Sequence, residues 1–220
     1  MSNLKITIVD YGLGNIFNIQ RAIESLGYEV FISYKHNDII NSDRLILPGV
    51  GAFEDGMIAL KEKGMIETIQ EYVNLNKPLL GICLGMQLLM SSSEEFGHYL
   101  GLNLIEGKVV HFPKSEHKGI IYKVPHVGWN QIIPSPDNRN KDSTGTILRD
   151  INQKAFYYFS HSFIVKPTFN QNGLAFSNYG GIDFCSVVNK GNIWGCQFHP
   201  ELSGDSGLII LKTFIQTNNN

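Results

Sequence analysis

The apolar positions in the first ninety residues alternate between the two-residue period of strands and the longer period of helices. Apolar runs predict strands at Leu4 to Val9, Tyr28 to Ser33, Arg44 to Leu47 and Lys77 to Ile82. Helical spacing between them predicts a helix from Ile16 to Leu26, capped by Asn15 and stopped by Gly27, and further helices at Phe53 to Lys63 and Met65 to Leu75. Such alternation is typical of a parallel sheet that helices cover on both faces.

From about residue 100 the pattern becomes rich in strands. The predicted strands are Leu104 to Phe112, Tyr122 to Ile133, Phe156 to Val165, Leu174 to Ser177, Phe184 to Val188 and Ile193 to Phe198. The remaining predictions are a hairpin loop at 189–192, an exposed loop at 134–146, a last helix capped by Asp205 that runs to Ile215, and a frayed tail at 217–220. We therefore predict a single α/β domain over residues 1–220, with a mostly parallel central sheet and extra antiparallel strands in the second half.

Composition narrows the classes of protein to consider. Apolar residues make up 43% of the 220 residues, which is enough for a full core. Charged residues make up only 17%, which argues against disorder. The net charge of −2 without a basic run argues against nucleic acid or an anionic membrane as a partner. The first ten residues lack the layout of a signal peptide, and three cysteines without metal spacing predict neither a disulfide framework nor a zinc site. We expect a reducing, cytoplasmic setting.

The stretch Gly81-Ile82-Cys83-Leu84-Gly85 carries the first chemical signal. Cys83 falls where a predicted strand meets a helical segment, and the flanking glycines permit a sharp turn and close packing. A thiol at the start of a helix lies in a field that favours the thiolate, which is the reactive form. Cys83 is therefore a candidate nucleophile, whereas Cys185 and Cys196 are interpreted as core residues.

A candidate base follows the last predicted strand. His199 comes directly after Phe198, and ligands of open α/β sheets gather beyond the carboxyl ends of strands. Glu201 lies two residues further on, so in an extended segment its carboxylate can face the same side and hold the imidazole. Cys83, His199 and Glu201 together predict a nucleophile, a base and an orienting acid.

The turn Pro48-Gly49-Val50-Gly51 joins a predicted strand to a helix. Its glycines leave backbone N–H groups free to point at a ligand. The N–H of Val50 or Gly51, together with that of Leu84 after the nucleophile, would form an oxyanion hole. The same glycines permit the Val50 peptide to rest in an inactive orientation. We hypothesise that this peptide turns over when a partner docks.

Each of these parts alone has an ordinary structural interpretation, as a core cysteine, a turn or a tight loop. Their placement at strand ends of one predicted sheet favours a cysteine enzyme of acyl transfer. At this point the motifs resemble the class I (triad-type) glutamine amidotransferases, through Gly81 to Gln87 and His199-Pro200-Glu201. The segments Asp10 to Asn15, Pro48 to Phe53, Val124 to Asn130 and Gln197 to Glu201 resemble more narrowly the glutaminase subunits of imidazole glycerol phosphate synthase. The flavodoxin-like fold of that family is the expected fold.

The resemblance implies a reaction and a set of substrate contacts. Glutamine would form a thioester at Cys83 and release ammonia, with neither a metal nor an organic cofactor. The positions that match the family's substrate contacts are Gly49, Gly85, Gln87, His161, Ser162 and Phe163.

The resemblance also implies a partner. A (β/α)8 cyclase would form a heterodimer with this chain, receive the ammonia and make imidazole glycerol phosphate and AICAR in histidine biosynthesis. Leu13, Asn15 and Leu202 are the positions expected at the interface. Leu13 and Leu202 depart from the proline and lysine usual in the family, and Phe163 departs from tyrosine.

Three alternatives stay open on the sequence. A paralogous amidotransferase would feed an enzyme that amidinates surface sugars, which the altered docking residues permit. A thiol hydrolase would turn over without a partner, and a non-catalytic binding module would be indifferent to substitution of Cys83.

Overall fold

A computed structural model describes residues 4–135, 145–152 and 154–217. The helices are α1 (Ile16–Ser25), α2 (His36–Ile40), α3 (Phe53–Glu62), α4 (Met65–Asn74), α5 (Leu84–Leu88) and α6 (Gly204–Ile215), with short helical turns at Asn170–Asn172 and Pro200–Leu202. The strands are β1 (Ile6–Val9), β2 (Val30–Ser33), β3 (Arg44–Leu47), β4 (Leu79–Ile82), β5 (Ser92–Ser93), β6 (Tyr99–Leu100), β7 (Gly107–His111), β8 (Ser115–His117), β9 (Ile120–Tyr122), β10 (His126–Gln131), β11 (Ile133–Pro134), β12 (Phe156–His161), β13 (Phe163–Pro167), β14 (Gly173–Tyr179), β15 (Ile182–Lys190) and β16 (Ile193–Cys196). The predicted loop at 134–146 and the tail at 217–220 fall mostly outside the described residues.

The central sheet begins with parallel strands in the order β2-β1-β3-β4-β16. It continues through β15, β13 and β7, which pair antiparallel, and the predicted hairpin at 189–192 joins β15 to β16. This arrangement confirms the predicted α/β fold with a parallel centre and antiparallel additions. Because β4 and β16 are parallel neighbours, Cys83 and the segment after Cys196 leave the sheet at the same edge.

Alternation along the strands divides the core between the two faces of the sheet. Ile6 and Ile8 of β1 belong to a cluster with residues of α1 and α6, whereas Val9 belongs to a second cluster with residues of α3, α4 and α5. All four residues of β1 are buried, as expected for a parallel strand covered on both faces. The sheet is therefore a rigid platform for the loops at its carboxyl edge.

Two long strands that the sequence predicted are broken in the structure. The stretch Tyr122 to Ile133 contains the cis peptide between Val124 and Pro125, and it spans the end of β9, then β10 and the start of β11. The stretch Phe156 to Val165 divides at Ser162, because β12 pairs with β10 while β13 pairs with β7 and β15. The apolar pattern is continuous across each break, since the residues on both sides are partly buried but in different sheets.

The predicted helix caps are also corrected. The N-cap position of α6 is Ser203 rather than Asp205, which lies in the first turn. Asn15 does occupy the N-cap position of α1, but its side chain makes no capping hydrogen bond there. Among the described residues, no helix combines the length and apolar character needed to cross a membrane.

Candidate active site

Cys83 lies at the corner between β4 and α5 in a strained backbone conformation. Its φ of 54° and ψ of −110° are rare for a residue with a side chain. The Cys83 N–H donates to the Cys196 carbonyl at 2.8 Å, which ties the corner to the neighbouring strand. Two residues on, a Cβ at Gly85 would overlap the Leu47 carbonyl, so only glycine permits α5 to start this close to β3. The local sequence thus produces the predicted sharp turn between strand and helix, with Cys83 at its corner.

His199 is held from both sides of its backbone. Its N–H donates to the Tyr158 carbonyl at 2.9 Å, and its carbonyl accepts a hydrogen bond from the Ser203 hydroxyl at 2.6 Å. The ring Nδ1 lies 2.9 Å from Glu201 Oε1, and both side chains are buried. This pair fixes the ring, and both Cys83 and His199 line the same pocket.

Asn15 joins this network from α1. Its Nδ2 donates to Glu201 Oε1 at 3.1 Å, and its Oδ1 accepts from Asn18 Nδ2 at 2.8 Å. The carboxylate oxygen that receives the His199 ring is therefore also fixed by an amide 186 residues away in the chain. The sequence placed Asn15 at a partner interface, whereas the structure also gives it a role behind the His199–Glu201 pair.

The protonation of His199 depends on two opposed effects. Burial disfavours the imidazolium, but hydrogen bonds to Cys83 and Glu201 outweigh it and raise the pKa of His199 above its ordinary value. The His199 ring therefore carries a proton near neutral pH, which it can give to a leaving group in the pocket.

The glycine turn does not present the Val50 N–H to the predicted oxyanion position as it stands. The Leu84 N–H donates to the Gly49 carbonyl at 3.3 Å, so that carbonyl faces the position expected for an oxyanion. In a trans peptide the N–H of Val50 points the opposite way. The Tyr11 hydroxyl anchors the start of the turn by donating to the Pro48 carbonyl at 2.7 Å. The prediction that Val50 and Leu84 act together therefore requires the Gly49–Val50 peptide to turn over.

A pocket of about 440 Å³ opens in front of Cys83. The predicted site residues that line it are Cys83, His199, Val50, Gly51, Leu84, Gln87, His161, Ser162 and Phe163. Gly49 and Gly85 do not line it, because they serve the close packing of the turn against the corner at Cys83. In the described residues, no group of three or more His, Cys, Asp or Glu side chains is placed to hold a metal ion.

Glu95 is a pocket residue that the sequence analysis missed. Its side chain lines the cavity, although the residue is only 7% exposed. One carboxylate oxygen accepts the Phe53 N–H at 2.7 Å, which fixes the side chain against the start of α3. Burial raises the pKa of the Glu95 carboxyl against the opposing effect of that hydrogen bond. The second glutamate of Ser93-Glu94-Glu95 carries no local motif, so only its burial in the pocket reveals it.

His161 lines the pocket, but its ring nitrogens are both engaged. Nδ1 lies 3.0 Å from the Phe163 carbonyl and Nε2 lies 3.0 Å from His126 Nδ1. Burial lowers the pKa of His161 to about 3 and that of His126 to about 4, so both rings are neutral near pH 7. His126 stacks on Tyr179 and Phe159, which makes it part of the wall behind the pocket.

The three expected interface positions differ in their surroundings: Leu13 is partly buried against the second core cluster, and Asn15 contacts Glu201. Leu202 is 39% exposed and belongs to the helical turn that follows His199. Trp129, which is 56% exposed, contacts Tyr158 edge to face, and Tyr158 pairs with His199 through the backbone. Apolar side chains are thus open to solvent next to the candidate base.

Comparison with known proteins shows what this chain is similar to. Residues 7–216 match the family model described as glutamine amidotransferase class-I. A protein of Methanosarcina barkeri (strain Fusaro) named imidazole glycerol phosphate synthase subunit HisH is 50% identical, and the match covers 96% of this chain and 98% of the relative. HisH 1 of Legionella pneumophila (strain Paris) is 43% identical, with the same coverage.

Solved structures agree on the fold. PurLQS of Thermotoga maritima superimposes with a TM-score of 0.72 at 20% identity, covering 96% of this chain and 97% of that chain. A structure described as a glutamine amidotransferase gives a TM-score of 0.70 at 17% identity, covering 95% and 98%. At these identities the likeness speaks for the fold alone.

Proposed function

Because the chain belongs to the class-I glutamine amidotransferase family, we propose that it hydrolyses glutamine through a thioester on Cys83. The Cys83 thiolate attacks the carboxamide carbon, and the tetrahedral intermediate expels ammonia after His199 donates a proton to the nitrogen. Water, activated by the neutral His199, then releases glutamate and returns the proton to the ring. The observation that carries this proposal is that Cys83 and His199 line one pocket, while Glu201 holds the His199 ring at 2.9 Å.

The oxyanion hole requires one local movement. Turning over the Gly49–Val50 peptide would withdraw the Gly49 carbonyl from Leu84 and direct the Val50 N–H into the site. The left-handed φ of 111° at Gly51 supports the role of this turn as a place that tolerates unusual backbone. We propose that this rotation separates a resting site from an active one.

Two polar side chains that line the pocket, Glu95 and Gln87, suit the α-amino end of glutamine. An ammonium group bound beside Glu95 would relieve the cost of burying that carboxylate and favour its charged form. Gln87 lines the same pocket and supplies a second polar side chain. We propose that Glu95 and Gln87 bind the substrate ammonium, with Ser162 and Phe163 on the same wall.

The partner is proposed to be a (β/α)8 cyclase that receives the ammonia and makes imidazole glycerol phosphate and AICAR. The relatives named as subunits of imidazole glycerol phosphate synthase support this assignment. The exposed apolar side chains of Trp129 and Leu202, beside the candidate base, offer a surface that a partner would cover. A catalytic thiol is kept reduced in the cytoplasm, where we place the complex.

The test compares glutamate release by the chain alone, with the cyclase, and with the cyclase and its phosphoribulosyl substrate. The proposal expects stimulation by the loaded cyclase and loss of all release in Cys83→Ser, which should still bind the cyclase. Hydrolysis retained in Cys83→Ser would contradict the mechanism. Absence of stimulation would reject the cyclase and favour the sugar-amidinating alternative.

A further inference from the structure

Gln197 is a fully buried amide next to the nucleophile that the mechanism above does not use. It directly follows Cys196 of β16, and its backbone N–H donates to the Ser186 carbonyl at 2.9 Å. Its side chain lies between two residues of the site. Gln87 Nε2 is 3.1 Å from Gln197 Oε1, and Gln197 Nε2 is 3.7 Å from Cys83 Sγ.

The direction of this amide follows from a backbone carbonyl. Gln87 also approaches the Phe163 carbonyl, at 3.2 Å, and a carbonyl can only accept. The Gln87 atom at that position is therefore the NH₂ group, and it donates to Gln197 as well. Gln197 must consequently turn its oxygen to Gln87 and its NH₂ group to Cys83. The Phe163 carbonyl thus determines that Gln197 presents its NH₂ group to the Cys83 sulfur.

The two polar neighbours of the sulfur favour opposite protonation states. The Ser160 carbonyl, 3.9 Å from Cys83 Sγ, can only accept a hydrogen bond and therefore suits the neutral thiol. The Gln197 amide can donate and therefore suits the thiolate, for which it is a charge-assisted partner in a buried site. Deprotonation would move the sulfur away from Ser160 and towards Gln197.

We propose that Gln197 is a positioning residue that stabilises and aims the Cys83 thiolate, held in place by Gln87. This inference rests on the proposed glutaminase function and deepens it. Gln87 lines the pocket and holds Gln197 in place. Substrate that binds in the pocket therefore affects the position of Gln197 beside Cys83. The side-chain amides of Gln87 and Gln197 thereby connect the Phe163 carbonyl with the Cys83 sulfur.

The most informative substitution replaces only the NH₂ group of the Gln197 side chain. Gln197→Glu keeps the length and the acceptor for Gln87 but replaces the donor facing Cys83 with an acceptor oxygen. Gln197→Met, which keeps the length and removes both polar atoms, covers the case in which a buried carboxylate prevents folding. Gln216→Met, far from the site on the C-terminal side of α6, is the matched control.

The first readout is the rate of alkylation by iodoacetamide as a function of pH, with Cys83→Ala as the background. We expect the midpoint of the pH profile to move to higher pH in both Gln197 variants, further in Gln197→Glu, and to stay in place in Gln216→Met. The other titratable groups near the sulfur are common to all the variants compared: His199, Glu201, Tyr11, Cys196, His161, His111 and Glu95.

The second readout is glutamine hydrolysis. Loss of a hydrogen bond to a charged group predicts a fall in kcat of about tenfold to a hundredfold, with a smaller change in KM. A pH midpoint that does not move, with or without loss of kcat, would overturn the proposal and leave Gln197 a merely structural residue. If the wild type fails to hydrolyse glutamine even with the loaded cyclase while the alkylation midpoint still moves, the proposed function is wrong and the role of Gln197 beside the thiol stands.

Discussion

Glu201→Gln separates the charge behind the candidate base from the geometry that holds it. In the wild type, Glu201 Oε1 accepts from both His199 and Asn15, at 2.9 and 3.1 Å. A glutamine oxygen can accept both bonds in the same place, so the ring keeps its orientation. What disappears is the negative charge that helps to keep His199 protonated at low solvent exposure.

The magnitude follows from the kind of bond that is weakened. A hydrogen bond to a charged group contributes about 1.5–3 kcal/mol, which corresponds to about a tenfold to 150-fold lower kcat. The mutant should also lose the protonated ring at lower pH, because the effect of Glu201 raises the pKa of His199. The alkaline limb of the kcat profile for glutamate release should therefore move to lower pH.

Asn15→Leu is the control for this prediction. It removes one donor to Glu201 but leaves the His199–Glu201 pair and its charge in place. Its kcat should fall less than that of Glu201→Gln, and its alkaline limb should move less. Equal activity of wild type and Glu201→Gln, or a larger effect of Asn15→Leu, would refute the reasoning that the charge matters more than the extra donor.

Three further predictions concern the scaffold and its partner. Gly85→Ala should lower the free energy of unfolding in urea by about 3 kcal/mol or more, because its Cβ overlaps a β3 carbonyl, whereas Gly191→Ala, which is left-handed but in open space, should cost about 1 kcal/mol. Equal losses would contradict this. Unfolded His126 and His161 take up protons below about pH 6.5 while their folded forms, with lowered pKa values of about 4 and about 3, do not. Stability should therefore fall from pH 6.5 to 4, by up to about 2.7 kcal/mol per pH unit, and the slope should halve in a folded His126→Gln variant; an unchanged slope would count against it. Trp129→Asp should keep basal glutamate release but lose stimulation by the cyclase, and full stimulation would remove this side chain from the interface.

The sequence predicted the parallel half of the fold well because its signals are local. β3 lies where the apolar run Arg44 to Leu47 predicted it, and α3 and α4 differ from prediction only at their carboxyl ends. The stretch Phe156 to Val165 was harder. Its apolar pattern does not record that the chain changes pairing partners at Ser162. Strand partners are set by long-range packing, which no local period encodes.

The candidate site shows the same limit. Cys83, His199 and Val50 belong to short motifs at strand ends, so their convergence on one pocket could be predicted. Glu95 carries no recognised motif, and Gln197 lies in the motif of His199 but was given no role; burial beside the pocket and the sulfur makes both residues notable. The orientation of the Gly49–Val50 peptide likewise depends on three-dimensional contacts, so the local sequence does not determine it.

The central claim is that Cys83 carries the glutamyl group during turnover. The most direct measurement is intact-mass analysis of the chain, quenched with acid while it hydrolyses glutamine in the presence of the loaded cyclase, followed by peptide mapping. The account predicts a mass increase of one glutamyl group, located at Cys83 and absent from Cys83→Ala. Glutamate release without any such adduct on Cys83, or an adduct that persists in Cys83→Ala, would contradict it.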